Sequence, residues 1–323
     1  MRRSRGYILV ATLVLLALMA LVAGRLASRI DLLRDQSSTL ASLAEGNLAA
    51  ANARSEVLFA MVTQPISLAS FGSGRQWPMD GEAIALANGV NARIQDHRGL
   101  LSLNAPDPGL IGRLLVAHGI PAARIDGLID TLNDYTDLDN FRRLNGAERE
   151  EYSALGLLPP RNDFVDSPEE LRQIIGWRDY PEVLQRVIPL LSSQRDGTFN
   201  VNTAPREVLA ALLPGAAPSQ LEALIARRKL APFVSAADVM ATAGFPLATR
   251  DEAFYPGLLY RIRLEMPGLP LALEYNVLLT PESEKRPWYV IDSRTVNVPR
   301  VPKDGSDERG RSPAGPAEIA GRR

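Results

Sequence analysis

Apolar positions dominate the start of the chain. Behind a short head with three arginines, the 18 residues 7–24 contain no charged side chain. A helix of this length rises about 27 Å, just short of the roughly 30 Å hydrocarbon core of a bilayer. The pattern therefore predicts that the chain is directed to a membrane.

From residue 25 onward the pattern becomes amphipathic. Apolar residues recur at mostly three-to-four or seven-residue steps with polar residues between them; they are Leu26, Ile30, Leu33, Leu40, Leu43, Leu48, Leu58 and Met61. Because no proline occurs before Pro65, we expect one helix of about 50 residues that spans the membrane over residues 7–24 and continues outside it over residues 25–64. Residues 37–39 and Gly46 are expected weak points.

Strand-like alternation brackets a helical centre and predicts an α+β fold. Residues 89–103 have the pattern of a hairpin, and three more strands are predicted at 258–264, 271–279 and 288–298. The simplest architecture is one antiparallel sheet, built from residues 65–103 and 255–300 and packed on the long helix. A mostly helical region, residues 104–254, is inserted into it. Residues 301–323 lack periodicity and are expected to be disordered.

The inserted region contains an internal repeat. Leu103-Asn104-Ala105-Pro106 matches Val201-Asn202-Thr203-Ala204-Pro205, and the stretch that begins at Phe164-Val165 matches the one that begins at Phe233-Val234. We therefore expect two related helical units in tandem. The first unit is longer, and its extra residues fall around 134–162.

This extra stretch, the acidic segment of residues 134–162, concentrates the possible ligand chemistry. It supplies carboxylate and amide oxygens without His or Cys, a donor set that suits calcium better than zinc. Counting Asp137 as position 1 places Asp139 at 3 and Glu148 at 12 of an EF-hand loop. However, Phe141 and Arg142 occupy positions 5 and 6, where that loop needs an oxygen ligand and a glycine. An irregular calcium loop and a solvated acidic loop with helix caps are both compatible with the sequence.

Composition excludes several functional classes. The chain has 323 residues, no cysteine and a net charge of −1, so disulfides and thiolate metal sites are impossible and no global attraction to nucleic acid is expected. Only His97 and His118 could serve a nucleophile triad, and neither has a recognisable nucleophile context. No phosphate-binding glycine loop occurs. We therefore expect no enzyme.

One alternative function is a membrane-anchored protein that binds nucleic acid. The second helical unit resembles helix-hairpin-helix modules, and residues 227–229 form a basic cluster. The hairpin at residues 213–218 contains two prolines and an incomplete glycine pair, which removes a backbone donor to phosphate. This alternative is therefore the weaker one.

The first 24 residues allow three processing outcomes. A signal peptide could be cut after Val22-Ala23-Gly24, or the apolar stretch could be retained as an anchor. The third outcome is the prepilin pattern, in which a leader peptidase cuts after a glycine that separates basic residues from the apolar stretch. Gly6 and Tyr7 fit this third pattern.

Several motifs in a fixed order carry a family resemblance over about residues 1–300. They are Gly6-Tyr7, Asp96-His97-Arg98-Gly99, Leu103-Asn104, Asp134-Tyr135-Thr136-Asp137, Gly146-Ala147-Glu148 with Tyr152, Pro160-Arg161-Asn162, Ser167-Pro168-Glu169-Glu170-Leu171 with Gly176, and Asn200-Val201-Asn202-Thr203-Ala204. In these features the chain resembles the K-type minor pseudopilins of the type II (general) secretion pathway.

The resemblance implies a location, partners and a function. It implies a leader of residues 1–6 that prepilin peptidase removes, followed by methylation of the new N-terminus. It also implies that the chain crosses the inner membrane once and that most of it lies in the periplasm. Expected partners are the I- and J-type minor pseudopilins, the major pseudopilin and exported substrates, with no nucleic acid. Together the minor pseudopilins would form the tip of a periplasmic pseudopilus that drives export of folded proteins across the outer membrane.

The resemblance also implies calcium in the helical region. Asp137, Asp139 and Glu148 are the expected ligands, and Asn145, Glu151 and Asp163 are weaker candidates; Tyr135 stands where a tryptophan is common in the family.

Ala11 is a departure from ordinary pilins. It is the fifth residue from Tyr7, where most pilin-like subunits carry a glutamate that pairs with a neighbouring subunit's N-terminal amine. An unpaired carboxylate in hydrocarbon is costly. A subunit at the end of the filament, with no other subunit ahead of it, therefore has no use for that glutamate. K-type subunits are similar in lacking it, although Ala11 is equally compatible with a simple lipid-facing role.

Overall fold

The computed structural model describes residues 5–244, 246–247 and 252–298. Within this part, one long helix packs on a five-stranded antiparallel sheet, and a mainly helical region separates the second and third of these five strands along the chain. The α+β prediction is confirmed. Residues 1–4 of the expected leader and the expected tail, residues 301–323, lie outside the described residues.

The helices and strands are numbered in chain order. The helices are α1 Arg5–Thr63, α2 Pro108–Ala117, α3 Ile125–Thr136, α4 Arg149–Ala154, α5 Pro181–Val187, α6 Arg206–Leu212, α7 Pro218–Leu230 and α8 Ala236–Ala243. The strands are β1 Ser70–Phe71, β2 Trp77–Pro78, β3 Asp80–Ala85, β4 Asn91–Asp96, β5 Leu101–Ser102, β6 Leu191–Ser192, β7 Phe199–Asn200, β8 Glu252–Ala253, β9 Leu259–Glu265, β10 Leu271–Leu279 and β11 Trp288–Asn297.

Helix α1 has 59 residues and continues through both expected weak points. Ser38 and Thr39 donate their hydroxyl groups to the carbonyl oxygen of Asp35, at 2.9 Å in each case, so these polar side chains bond back to their own helix. Gly46 is a contact point, because a Cβ there would lie 2.9 Å from Cδ1 of Leu269. The glycine therefore lets α1 approach the turn between β9 and β10.

The two halves of α1 have different surroundings. Its N-terminal half is exposed and contains an 18-residue window with a mean hydropathy of 2.4, long and apolar enough to cross a membrane. Its C-terminal half buries Ala50, Ala53, Val57 and Met61 against the sheet. The helix thus joins an apolar span to the folded part of the protein.

The sheet has the order β11-β10-β9-β4-β3, with every pair antiparallel. The three predicted C-terminal strands are confirmed as β9, β10 and β11. The predicted hairpin is wrong, because β4 pairs with β3 and β9 while β5 pairs in parallel with β6. Leu101 and Leu103 alternate because they enter the core of the helical region.

The two faces of the sheet differ in polarity. Ile94, Ile262 and Val277 face α1 and form an apolar core with it. The opposite face carries charged and amide side chains that contact the helical region: the guanidinium of Arg261 donates to the carbonyl oxygens of Pro189 and Leu191 at 2.8 and 3.0 Å. Directional polar contacts therefore orient the helical region on the sheet.

Asp96 is the centre of this junction. Its buried carboxylate accepts hydrogen bonds from the backbone of Arg98 and Gly257, each at 3.1 Å, and from the side chains of Thr203 and Asn200 at 2.9 and 3.2 Å. Burial raises the pKa of Asp96, and the hydrogen bonds oppose that rise. One carboxylate therefore joins the end of β4 to both the helical region and the start of β9.

The two helical units share one device, a buried or half-buried asparagine that we call the Asn clamp. The Asn104 amide accepts from the backbone N of Val165 at 2.8 Å and donates to its carbonyl oxygen at 2.9 Å and to that of Ser193 at 2.7 Å. Asn202 makes the same three bonds, to Phe233 at 2.8 and 2.9 Å and to the carbonyl oxygen of Phe254 at 3.0 Å.

The Asn clamp corrects the alignment of the repeat by one residue. Val165, not Phe164, corresponds to Phe233, because both are clamped and both are buried. The clamped residues lie 61 positions apart in the first unit and 31 in the second, so the first unit carries 30 extra residues.

Candidate metal centre in the acidic segment

The acidic segment begins on a helix and ends beyond the next one. Helix α3 ends at Thr136, and Asp137 follows as its C-terminal cap. Glu148 precedes α4, and its backbone N donates to the Glu151 carboxylate at 2.9 Å. The two helix ends therefore hold both sides of the intervening loop.

The structure brings the three main candidate ligands together. Asp137, Asp139 and Glu148 each offer a carboxylate oxygen, and these atoms lie within 4.8 Å of one another. Asp139 is exposed, Asp137 is half-buried and Glu148 is only 4% exposed. This spacing allows one cation to contact all three oxygens.

Several of these oxygens have no partner. Oδ1 of Asp137 and both carboxylate oxygens of Glu148 are buried and accept no hydrogen bond from any residue that the structure describes. Burial, with the charges of Asp134, Asp137, Asp139 and Glu151, raises the pKa of Glu148 to about 7. Buried carboxylate oxygens without donors are uncommon because their desolvation is uncompensated. The donor set therefore fits a hard divalent cation, which would supply the missing positive charge.

Asp134 and Arg143 hold the loop between α3 and α4 in place. The fully buried Asp134 carboxylate accepts from the backbone N of Arg143 at 3.1 Å and from its Nη1 at 2.8 Å. The same Nη1 also pairs with Oδ2 of Asp137. A Cβ at Gly146 would lie 1.8 Å from Oδ2 of Asp134, so this position requires glycine.

The weaker ligand candidates have other hydrogen-bond partners in the structure. Asn145 donates its backbone N and its amide to Asp130, at 3.0 and 3.1 Å. Glu151 accepts from Arg142 at 3.0 Å as well as capping α4. Oδ1 of Asp163 accepts from the backbone N of Phe164 at 2.7 Å. These contacts give the three side chains structural partners, and their role as metal ligands stays a prediction.

Two tyrosines anchor the acidic segment. Tyr135 is 5% exposed and donates its hydroxyl to Glu170 at 3.3 Å, while the Tyr152 hydroxyl accepts from the backbone N of Ile175 at 3.2 Å. Their ring centroids are 6.4 Å apart. Burial raises the pKa of each phenol to about 12, so both remain neutral.

Sequence reasoning did not assign roles to Asp134, Arg143 or Gly146. Asp134 and Gly146 belong to the family motifs quoted above, but a motif does not reveal which carboxylate an arginine or a glycine contacts. The loop also directs Leu138, Phe141 and Leu144 outward, each more than 80% exposed. These three large apolar side chains of the loop thus face solvent, while the carboxylates of Asp134 and Glu148 are buried.

His97 and the basic cluster of residues 227–229 make structural contacts. His97 is buried between Ser192 and Asn276, at 2.8 and 3.2 Å. In the predicted basic cluster, Arg228 is buried and donates to the carbonyl oxygens of Val201 and Ala204. Its neighbours Arg227 and Lys229 contact carboxylates of Asp238 and Glu82. The cluster therefore presents no free basic face to a nucleic-acid backbone.

Comparisons with known proteins identify the family. Two family models, both described as type II secretion system (T2SS), protein K, match residues 90–193 and 199–257. The type II secretion system protein K of Klebsiella pneumoniae is 30% identical over 249 residues, which cover 71% of this chain and 74% of that protein. The chain belongs to the type II secretion system protein K family. It is a minor pseudopilin, a structural component and not an enzyme.

Further relatives agree with this assignment. The protein K of Pectobacterium carotovorum subsp. carotovorum is 25% identical over 220 residues, 62% of this chain and 66% of that protein. The crystal structure of the GspK-GspI-GspJ complex from enterotoxigenic Escherichia coli has a chain with a TM-score of 0.53 and 17% identity, covering 82% of this chain and 99% of that one. This likeness confirms the fold. Within the described residues, one N-terminal helix is long and apolar enough to cross a membrane, which fits a single-pass membrane protein.

Proposed function

We propose that this minor pseudopilin is anchored in the inner membrane and forms, with I- and J-type minor pseudopilins, the tip of a periplasmic pseudopilus. The observation that carries the proposal is the match to protein K relatives, together with the likeness to a chain of a GspK-GspI-GspJ complex. The pseudopilus would drive export of folded proteins across the outer membrane. Ala11 supports a terminal position, because no carboxylate there requires the amine of a subunit ahead.

Reconstitution tests the proposed partners. Full-length protein in detergent, mixed with purified I- and J-type subunits of the same secretion system, should elute as one complex in size-exclusion chromatography with multi-angle light scattering. Separate elution of the three proteins at micromolar concentration would contradict the proposed tip.

Processing of the N-terminus tests the proposed membrane route. We expect prepilin peptidase to cut between Gly6 and Tyr7 and the new N-terminus to be methylated. Mass spectrometry of membrane-extracted protein from cells with and without the peptidase would show a start at Tyr7 only when the enzyme is present. A start near Arg25, or an intact Met1, would contradict this route.

We further propose that Asp137, Asp139 and Glu148 bind calcium. The convergence of their oxygens within 4.8 Å and the unpartnered buried oxygens support this assignment. A bound Ca²⁺ would supply charge compensation to the acidic segment and stiffen the connection from α3 to α4. Isothermal titration of metal-free protein with Ca²⁺ and with Mg²⁺ tests it; the absence of saturable Ca²⁺ binding would contradict it.

A further inference from the structure

A groove with a volume of about 520 Å³ lies at the seam between the sheet and the helical region. We call it the seam groove. Its sheet side is lined by Leu258, Leu259, Leu278 and Ile291, and its helical side by Val165 and residues 193–196, with Arg98 and Asp166 at the rim.

The floor of the seam groove is an apolar exception on a polar sheet face. Leu259 and Leu278 are directly opposite each other on β9 and β10. Elsewhere this face carries groups such as Arg261 and Glu274, which contact the helical region or each other. Both leucines are only partly buried, and Leu258 beside them is 53% exposed. Apolar groups left open at a seam indicate a surface that another chain covers.

A β-bulge adds Ile291 to this floor. Asn276 of β10 lies opposite Asp292, whereas Val277 lies opposite Val290, so Ile291 is an extra residue without a cross-strand partner. It is 55% exposed and lines the groove. Strand β11 forms the outer edge of the sheet, where bulges interrupt pairing and redirect side chains. The bulge therefore directs an apolar side chain into the seam groove.

The rim carries one uncompensated positive charge. Arg98 pairs with Asp196 at 3.0 Å across the rim, but Arg195 has no carboxylate within salt-bridge distance in the described part of the chain. The Arg195 guanidinium instead lies 4.6 Å from the ring centroid of Phe164. The stacked guanidinium is thereby held at the groove and remains available to an incoming carboxylate.

We propose that the seam groove receives an extended segment of a neighbouring pseudopilus subunit, a minor pseudopilin of the I or J type. That segment would place a bulky apolar side chain on Leu259, Leu278 and Ile291, and a carboxylate against Arg195. This assignment rests on the proposed function for the identity of the partner. The concave shape and the rim of mixed charge fit a peptide segment better than a lipid surface, which requires projecting apolar groups.

Binding measurements with two groove variants test this assignment. The full-length chain in detergent is titrated with purified I- and J-type subunits at about 50 and about 300 mM NaCl. Ile291→Ser should weaken binding about tenfold or more at both salt concentrations, because it removes an apolar contact. Arg195→Gln should weaken binding about threefold to tenfold at low salt and flatten the salt dependence.

Matched controls separate docking from folding. Leu230→Ser changes an 87% exposed leucine at the end of α7, and Arg178→Gln changes an exposed arginine outside the groove. Both should bind within about twofold of the unchanged protein, since exposed side chains outside an interface contribute little. All four variants should give the same far-ultraviolet circular dichroism, and a groove variant that fails this check is replaced by Ile291→Thr or Arg195→Met.

The outcomes distinguish the groove from the proposed function. A complex that forms with unchanged affinity in both groove variants overturns the assignment of the groove and leaves the tip function intact. A complex that never forms overturns both. Unchanged subunit affinity combined with lost secretion would assign the groove to another protein, such as an exported one, and would also overturn the assignment made here.

Discussion

Replacing Glu148 by Gln tests the proposed calcium site, because it should lower the stability of the protein with the metal but not without it. The change keeps the shape of the side chain and removes its charge. In metal-free protein the buried Glu148 carboxylate has no donor for either oxygen and is repelled by Asp134, Asp137 and Asp139. An unsatisfied buried group costs about 1–3 kcal/mol. Metal-free Glu148→Gln should therefore melt at the same temperature as the unchanged protein, or higher.

Calcium should reverse this order. A ligand at about 100 times its Kd adds about 2.7 kcal/mol. For a folded region of this size, 1 kcal/mol corresponds to roughly 2–4 °C. We therefore expect Ca²⁺ to raise the melting temperature of the unchanged protein by about 5–10 °C. The shift in Glu148→Gln should be less than about a third of that, since one of three charged ligands is lost.

Tryptophan fluorescence is a suitable assay. The buried Trp177, one of three tryptophans, donates its indole N–H to the carbonyl oxygen of Leu128 at 2.7 Å, so its contribution to the emission reports on α3, the helix that Asp137 caps. Glu150→Gln is the matched control, because this exposed neighbour is outside the three-ligand cluster. A calcium shift in Glu148→Gln as large as in the control would refute the site, as would equal melting of the unchanged protein in Ca²⁺ and in chelator.

Three further predictions concern the scaffold. Burial and the charge of Arg261 lower the pKa of His97 to about 3. Because the unfolded chain then binds one more proton than the folded chain between pH 6.5 and 3, the free energy of unfolding should fall by about 2 kcal/mol from pH 6.5 to 5. In His97→Gln, the free energy of unfolding measured by urea titration should depend less steeply on pH. Asn202→Ala removes three hydrogen bonds and leaves buried backbone groups unpaired, so chemical denaturation should show a loss of about 2–4 kcal/mol; a loss below 1 kcal/mol would contradict the clamp. Gly46→Leu should lower the melting temperature by separating α1 from Leu269, whereas Gly24→Leu, at a position with open space around the Cβ, should not.

Sequence patterns predicted those elements whose periodicity matches their burial. Strand β10 alternates and was found at its predicted bounds, and α1 was recognised from its apolar steps and its lack of proline. Strand β3 was missed because this edge strand is mostly exposed and contains Gly81 and two acids. The hairpin error at residues 89–103 arose because the alternation of β4 and that of Leu101 and Leu103 serve two different cores.

Only part of the candidate metal centre could be predicted from the sequence. The choice of Asp137, Asp139 and Glu148 came from oxygen chemistry and a family resemblance, and the structure places them together. The contact of Asp134 with Arg143 and the need for glycine at 146 depend on how the loop folds back on α3. Such long-range pairing leaves no periodic signature in the chain.

The repeated Asn clamp has a consequence for how the acidic segment could arise and change. In each unit, two of the clamp's three hydrogen bonds close a span, which is 61 residues long in one unit and 31 in the other. Doubling the length of a closed loop costs only about 0.6 kcal/mol of chain entropy. An insertion between the clamped ends thus leaves the closure of the unit intact. The position between α3 and Val165 is therefore one where the acidic segment can be lengthened, shortened or exchanged while the core beneath it stays the same.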